Sequence, residues 1–224
     1  MNSTLHDLLA KHRAHFAEVV TGTHQPSKTI LLDFSDKNGD LGSVDISNTG
    51  AFCTWVDKQR RGKIGWGGYL ENREFYRRSR HFDGQNEPRS VHLGIDLWSA
   101  AGTAVFCPWQ GFIHSFKNNA VFGDYGPTII VGHELEGLAF FTLYGHLCKT
   151  SLEGLQRGNP VEKGALLGQL GKPEENGGWP PHLHFQVISE MGDLKGDFPG
   201  VAAPANVTKY RSICPDPQLI LNCV

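Results

Sequence analysis

The 224-residue chain has no run of apolar residues approaching the roughly 18 to 20 that a bilayer-spanning helix requires. Its first apolar cluster, Leu8-Leu9-Ala10, is followed at once by Lys11, His12 and Arg13, so no secretory signal segment is expected there. Net charge is also scarce. A formal charge of −2 removes any overall electrostatic case for a nucleic-acid partner or an anionic membrane surface. Cysteine is sparse and scattered: Cys53, Cys107, Cys148, Cys214 and Cys223 show no CxxC spacing. Such usage fits free thiols in a reducing compartment better than a disulfide framework, and the cytoplasm is the expected location. Only Cys214 and Cys223 are close enough in sequence to suggest a pair under oxidising conditions.

What remains is a chain rich enough in aliphatic and aromatic residues to bury a substantial core. Leu5, Leu8, Leu9, Phe16, Val19 and Val20 recur at helical spacing, which predicts an amphipathic helix over 3–20, with Thr4 and Asp7 as a capping pair. A strand is expected over 29–34, then a hairpin turn over 35–40, where Asp36 and Asp40 lack the spacing and closing Glu of a calcium loop. From Asp57 to Arg89 arginines and aromatics alternate, but Asp57, Glu71, Glu74, Asp83 and Glu87 interrupt them. A salt-bridged, exposed surface is the expected outcome for that stretch.

After Val91 the texture changes to short apolar runs punctuated by glycine and proline: 105–107, 111–113, 128–131, 138–144, 165–168 and 184–187. This spacing predicts a mainly β fold, a curled antiparallel sheet or small sandwich. The expected organisation is an α+β extension over 1–88 (a helix plus short strands), a β-rich domain over 89–191 and an irregular tail over 192–224. That tail carries Pro199, Pro204, Pro215 and Pro217 and is expected to pack on the domain.

Two strings in the β-rich part carry chemistry. In His182-Leu183-His184 and in His92-Leu93-Gly94-Ile95-Asp96, residues two or four apart share one face of an extended strand. A catalytic zinc usually has three protein ligands and an open fourth position. Four candidates for three places therefore leave one histidine for proton chemistry. There is no HExxH string, so a helix-borne glutamate base is not available.

The segment Val91 to Val187 resembles the LytM or lysostaphin-type zinc peptidases of family M23. The likeness rests on a set of strings in family order: His92-Leu93-Gly94-Ile95-Asp96, Ala101-Gly102-Thr103-Ala104-Val105, Tyr125-Gly126-Pro127-Thr128-Ile129-Ile130, Leu143-Tyr144-Gly145-His146-Leu147, Val161-Glu162-Lys163-Gly164-Ala165-Leu166-Leu167-Gly168 and His182-Leu183-His184-Phe185. The resemblance implies an antiparallel β catalytic domain acting on peptidoglycan-type peptides. It implies that His92, Asp96 and His184 hold Zn2+, and that His146 and His182 line the site as the catalytic pair without being primary ligands. The expected function is a zinc metalloendopeptidase with a peptide or muropeptide substrate. The alternatives are a cytoplasmic, non-proteolytic zinc hydrolase acting on a small metabolite, or a regulatory module on the same fold. His133 is expected to have a structural or surface role.

The chain departs from the common family pattern before the HxH string, where it reads Asn176-Gly177-Gly178-Trp179-Pro180-Pro181. Two prolines stiffen this approach and Trp179 adds bulk, so a narrower or differently shaped pocket is expected.

Overall fold

Three long strands build the centre of the molecule, and the short elements on either side extend or cover them. The computed structural model describes residues 4–73, 75–76, 79–82 and 87–223. In chain order the elements are α1 (Leu5–Lys11), β1 (Thr29–Leu31), α2 (Thr49–Arg60), β2 (Ile64–Gly67), β3 (Val91–His92), β4 (Ile95–Trp98), β5 (Ala104–Phe106) and β6 (Gly111–Asn119). They continue with β7 (Gly126–Leu135), β8 (Leu138–Gly145), β9 (Pro160–Val161), β10 (Leu166–Gln169), β11 (His182–Ile188), β12 (Val201–Ala202), α3 (Val207–Ile213) and α4 (Gln218–Leu221).

Eight strands form one sheet in the order β1-β2-β4-β11-β8-β7-β6-β9. Every pairing from β2 to β9 is antiparallel, and the mainly β class expected from the apolar runs is what the chain adopts. The strands β7 and β11 are buried on both faces, because the C-terminal segment, through Met191, Phe198 and Cys214, covers the side turned away from the main core. Among the described residues no helix is long and apolar enough to cross a membrane.

Among the described residues the one parallel pair belongs to the extension. Strands β1 and β2 run side by side with α2 between them in sequence. A parallel pair needs a long crossover, which is why the segment after Leu31 does not return as the hairpin that the turn-rich 35–40 stretch predicts. Instead it makes a run of turns and one short 3-10 turn, Leu41–Ser43, before α2 starts at an Asn48 cap whose side chain accepts the Ala51 N–H. Helix α2 then covers the β1–β2 edge through Phe52 and Val56, which pack with Phe34, Phe75, Tyr76, Phe82, Trp98 and Trp179.

The N-terminal helix is shorter than its periodicity suggests. Thr4 and Asp7 form the expected reciprocal capping box, but α1 stops at Lys11. Phe16, Val19 and Val20 are still buried against the main core, on extended chain rather than on a helix. The reason is backbone pairing: Ala17 N–H donates to Pro108 and Val19 accepts from Phe106 N–H, both at 2.9 Å.

The tail is not irregular coil. Residues 192–224 contain β12, α3 and α4, and the prolines sit where helices tolerate them: Pro204 at the first position of a 3-10 turn and Pro217 at the N-cap of α4. Strand β12 pairs with β3 and so lies directly against His92.

Candidate metal centre and its supports

Strand pairing brings the two sequence strings together. Strand β11 lies beside β4 with His184 opposite Asp96 and His182 opposite Trp98. His92 and Asp96 do not share one strand: the chain breaks at Leu93-Gly94, so His92 sits on β3 and Asp96 on β4. Gly94 is required at that break, because a side chain there would collide with the His184 ring and the Phe185 carbonyl. The result places one nitrogen of His92, one of His184 and one oxygen of Asp96 within 4.8 Å of one another. All three residues are buried.

Hydrogen bonds on the far side of each ring fix which nitrogen is free. His92 Nδ1 donates to the Gly68 carbonyl at 2.9 Å, and His184 Nε2 donates to Gln186 Oε1 at 2.9 Å. Both remaining nitrogens, His92 Nε2 and His184 Nδ1, therefore carry lone pairs, and they face each other at 2.8 Å. Asp96 Oδ1 lies 3.3 Å from the first and 3.4 Å from the second, and accepts no hydrogen bond. Two lone pairs and an unpaired carboxylate oxygen repel one another unless a cation sits among them. Two imidazoles and one carboxylate are a donor set that suits zinc. Burial lowers the His92 pKa to about 3, which keeps its ring in the neutral, ligating form. Burial would raise the Asp96 carboxyl, but the His92 imidazole, the Arg73 guanidinium and His182 together hold it well below the usual carboxylate range.

Two further histidines border this group. His182 Nε2 stands 3.8 Å from Asp96 Oδ1, and its Nδ1 bonds the Pro180 carbonyl at 2.7 Å. His146 bonds the Asn176 carbonyl through Nδ1 at 2.8 Å, so its Nε2 is also a lone pair. Their rings lie 4.2 Å apart, and Trp98 stacks on His182 at 4.1 Å. Burial pushes the His182 pKa down to about 4 and that of His146 well below the ordinary histidine range. His146 also has a left-handed backbone, φ +63°, a conformation that strains a non-glycine residue and clusters at functional sites.

The rest of the sequence-predicted histidines lie elsewhere. His133 is buried on β7, bonded to the Gln110 carbonyl and to Thr142 Oγ1, and stacked on Phe140. All five cysteines are free thiols.

Three supports were not visible as such in the sequence. Arg73 belongs to the arginine-rich stretch expected to be a solvated surface, yet it is 1% exposed. Its Nη1 donates to Asp96 Oδ2 at 2.6 Å and its Nε to Glu71 Oε2 at 2.6 Å. Phe34, Phe75 and Tyr76 surround the guanidinium at 5.4 to 5.9 Å. The expected salt bridge is present at Arg60, a half-buried side chain that pairs with the exposed Asp57, whereas the surface reading fails for Arg73; Glu74, Arg77, Arg78 and Asp83 lie outside the described residues. The second support, Gly68, has φ +107°, and a side chain there would strike both Arg73 and the His92 ring. The third is Gln186, which besides orienting His184 donates to the Pro199 carbonyl and Cys214 Sγ. Its signal was present in the period of two that puts Gln186 on the same strand face as His182 and His184.

Residues 90–195 match the family model described as Peptidase family M23. That segment is similar to the M23 peptidases. The four site histidines and the aspartate fall inside the matched segment, whereas Gly68 and Arg73 lie before it. Among solved structures, the lysostaphin catalytic domain from Staphylococcus simulans is 22% identical, with 70% of this chain and 97% of that one covered and a TM-score of 0.42. A zinc containing peptidase from Vibrio cholerae is 24% identical over 44% of this chain, with a TM-score of 0.36. A putative M23 peptidase from Pseudomonas aeruginosa is 20% identical over 59% of this chain, with a TM-score of 0.39. The alignment spans 27% of the Vibrio chain and 44% of the Pseudomonas chain. No curated protein sequence matches this chain.

Proposed function

We propose that the M23 domain is a zinc-dependent hydrolase of peptide amide bonds, with His92, Asp96 and His184 as the metal ligands and His146 and His182 as the proton-handling pair. The observation that carries this reading is the pair of lone-pair nitrogens 2.8 Å apart beside an unpaired carboxylate oxygen. Zinc bound there would supply Lewis-acid chemistry, polarising the amide carbonyl and acidifying water. The protein's own part is to keep that water's acceptor groups neutral and aimed. His146 Nε2 takes the proton that water loses as its oxygen adds to the carbonyl carbon. The C–N bond then breaks, and the proton passes to the departing nitrogen, so one water is consumed for each bond cut. His182, on the same wall and held through Nδ1 by the Pro180 carbonyl, presents its own unprotonated Nε2 as a second acceptor for the water. A reducing compartment belongs to the same proposal and is supported by the five free thiols, three of them buried.

The test separates ligands from proton carriers. The purified chain should bind about one zinc, as expected for one three-ligand site. His184→Ala should lose the metal. His146→Ala should keep it and lose turnover of peptide substrates by about 100-fold or more. Equal loss of metal in both variants would overturn these roles.

A further inference from the structure

The far sides of the two facing imidazoles lead into different parts of the chain, and those parts meet. Gly68, whose carbonyl holds His92 Nδ1, is followed by Tyr69, and the Tyr69 hydroxyl donates to the Cys214 carbonyl at 2.7 Å. Cys214 Sγ accepts from Gln186 Nε2 at 3.3 Å, and Gln186 Oε1 accepts from His184 Nε2 at 2.9 Å. His184 Nδ1 faces His92 Nε2 at 2.8 Å, which closes a circuit of contacts through His92, Gly68, Tyr69, Cys214, Gln186 and His184.

The two halves of this circuit are secured differently. His184 and Gln186 stand on β11, which lies between β4 and β8 in the sheet. The Ile213 carbonyl, next to Cys214, accepts the Ser189 N–H at 2.8 Å just past the end of that strand, so the tail is pinned to it. Tyr69 sits instead on a turn after β2, between Gly68 and Leu70, which both have positive φ (+107° and +55°). Leu70 N–H donates to the His92 carbonyl and Glu71 N–H to the Gly68 carbonyl, so the turn and His92 lean on each other. The Tyr69 hydroxyl ties that turn to the tail. Burial pushes its pKa up to about 12, which keeps it a donor throughout the neutral range.

We propose that Tyr69 is a positioning residue for the metal group: its hydroxyl closes the circuit and so sets the separation of the His92 and His184 nitrogens. The proposal rests on the metal-ligand reading above. Two lone pairs 2.8 Å apart repel, and with the circuit open the Gly68 turn yields to that repulsion, so a smaller fraction of the metal-free chain is shaped to bind. Tyr69 and Cys214 both lie outside residues 90–195, so the matched segment receives the spacing of its metal group from the chain on either side of it.

Zinc affinity of the full chain, measured by chelator competition, and imidazole 15N spectra of the metal-free chain test this separately. Tyr69→Phe removes one oxygen and keeps the phenyl ring; it should weaken zinc binding about 10-fold, the lower end for contacts that orient metal ligands. Thr23→Val removes a buried hydroxyl that bonds the Val20 carbonyl at 2.9 Å outside the circuit, and should leave the affinity unchanged. Cys214→Ala opens the circuit at another link, so the variant carrying both Tyr69→Phe and Cys214→Ala should bind zinc within about twofold of the weaker single. In metal-free Tyr69→Phe the ring nitrogens of both His92 and His184 should shift while those of His133 stay. Unchanged zinc affinity in Tyr69→Phe, an equal loss in Thr23→Val, or losses that multiply in the double variant overturn the proposal and leave the metal-ligand reading standing. A parent chain that binds no zinc, with His92 and His184 still shifting together in Tyr69→Phe, overturns the metal-ligand reading and keeps the circuit; no shift at either histidine overturns the circuit.

Discussion

Replacing Arg73 by methionine keeps apolar volume among Phe34, Phe75 and Tyr76 but removes the positive charge that two buried carboxylates share. Asp96 and Glu71 have side-chain exposures of 3% and 13%, so water cannot take over the role of the guanidinium. Breaking a buried ion pair from one side costs about 3–5 kcal/mol, mostly from the charge left behind. A domain of this size loses roughly 2–4 °C of melting temperature per kcal/mol, so the metal-free variant should melt about 6–20 °C lower. The loss should depend on Asp96. In a cycle of Arg73→Met, Asp96→Asn and the double variant, followed by tryptophan fluorescence in denaturant with a chelator present, the double variant should lose less than the two singles added. Coupling of at least about 1–3 kcal/mol is expected for groups in direct contact. Strict additivity, or a loss under about 1 kcal/mol for Arg73→Met, would refute the argument that Arg73 is the counter-ion of the metal-site carboxylate.

Gln186→Leu removes the acceptor that fixes His184 with Nδ1 unprotonated; zinc affinity should fall about 10–100-fold in a competition titration while the fold survives, and unchanged affinity would show that the tautomer is set elsewhere. Gly94→Ala puts a methyl group against the His184 ring, and equilibrium dialysis should show weaker zinc binding than in Gly102→Ala, a glycine with open space around it. His133 gives a pH prediction. Burial depresses its pKa to about 4, so the folded chain keeps it neutral while the unfolded chain takes up a proton below about 6.5. Stability is therefore full above about pH 6.5 and falls as pH drops towards 4, by at most about 3 kcal/mol from this residue. Unfolding free energies at pH 7 and pH 4.5 should differ less in His133→Gln than in the parent, and identical pH slopes would count against it.

The β-rich half was legible because its signals are local. Apolar runs of three to seven residues bounded by glycine and proline marked β5 to β8, β10 and β11, and the capping pair Thr4 and Asp7 marked the start of α1. The residues of the metal group stood out for the same reason, since an HxH string and an H-x3-D string each announce themselves. What could not be read depends on partners distant in sequence. Helix α1 ends early because Ala17 and Val19 find backbone partners near residue 107. The 35–40 turn does not close a hairpin because β1 pairs with β2 across a helix. Arg73 looked like surface because charge alternation is a statement about composition; only the packing of its segment over β4 supplies Asp96 as a partner and aromatic rings as walls.

The placement of the three supports has a consequence for synthesis. Gly68 and Arg73 come before the ligands, but Gln186 is steadied by Pro199 and Cys214, and β12 pairs against His92. A nascent chain extended only through β11 has every residue proposed to hold the metal, yet neither the strand that lies against His92 nor the contacts that hold Gln186 on His184. Competence to load a metal should therefore arise late, once residues out to Cys214 have been made, rather than when the last ligand leaves the ribosome.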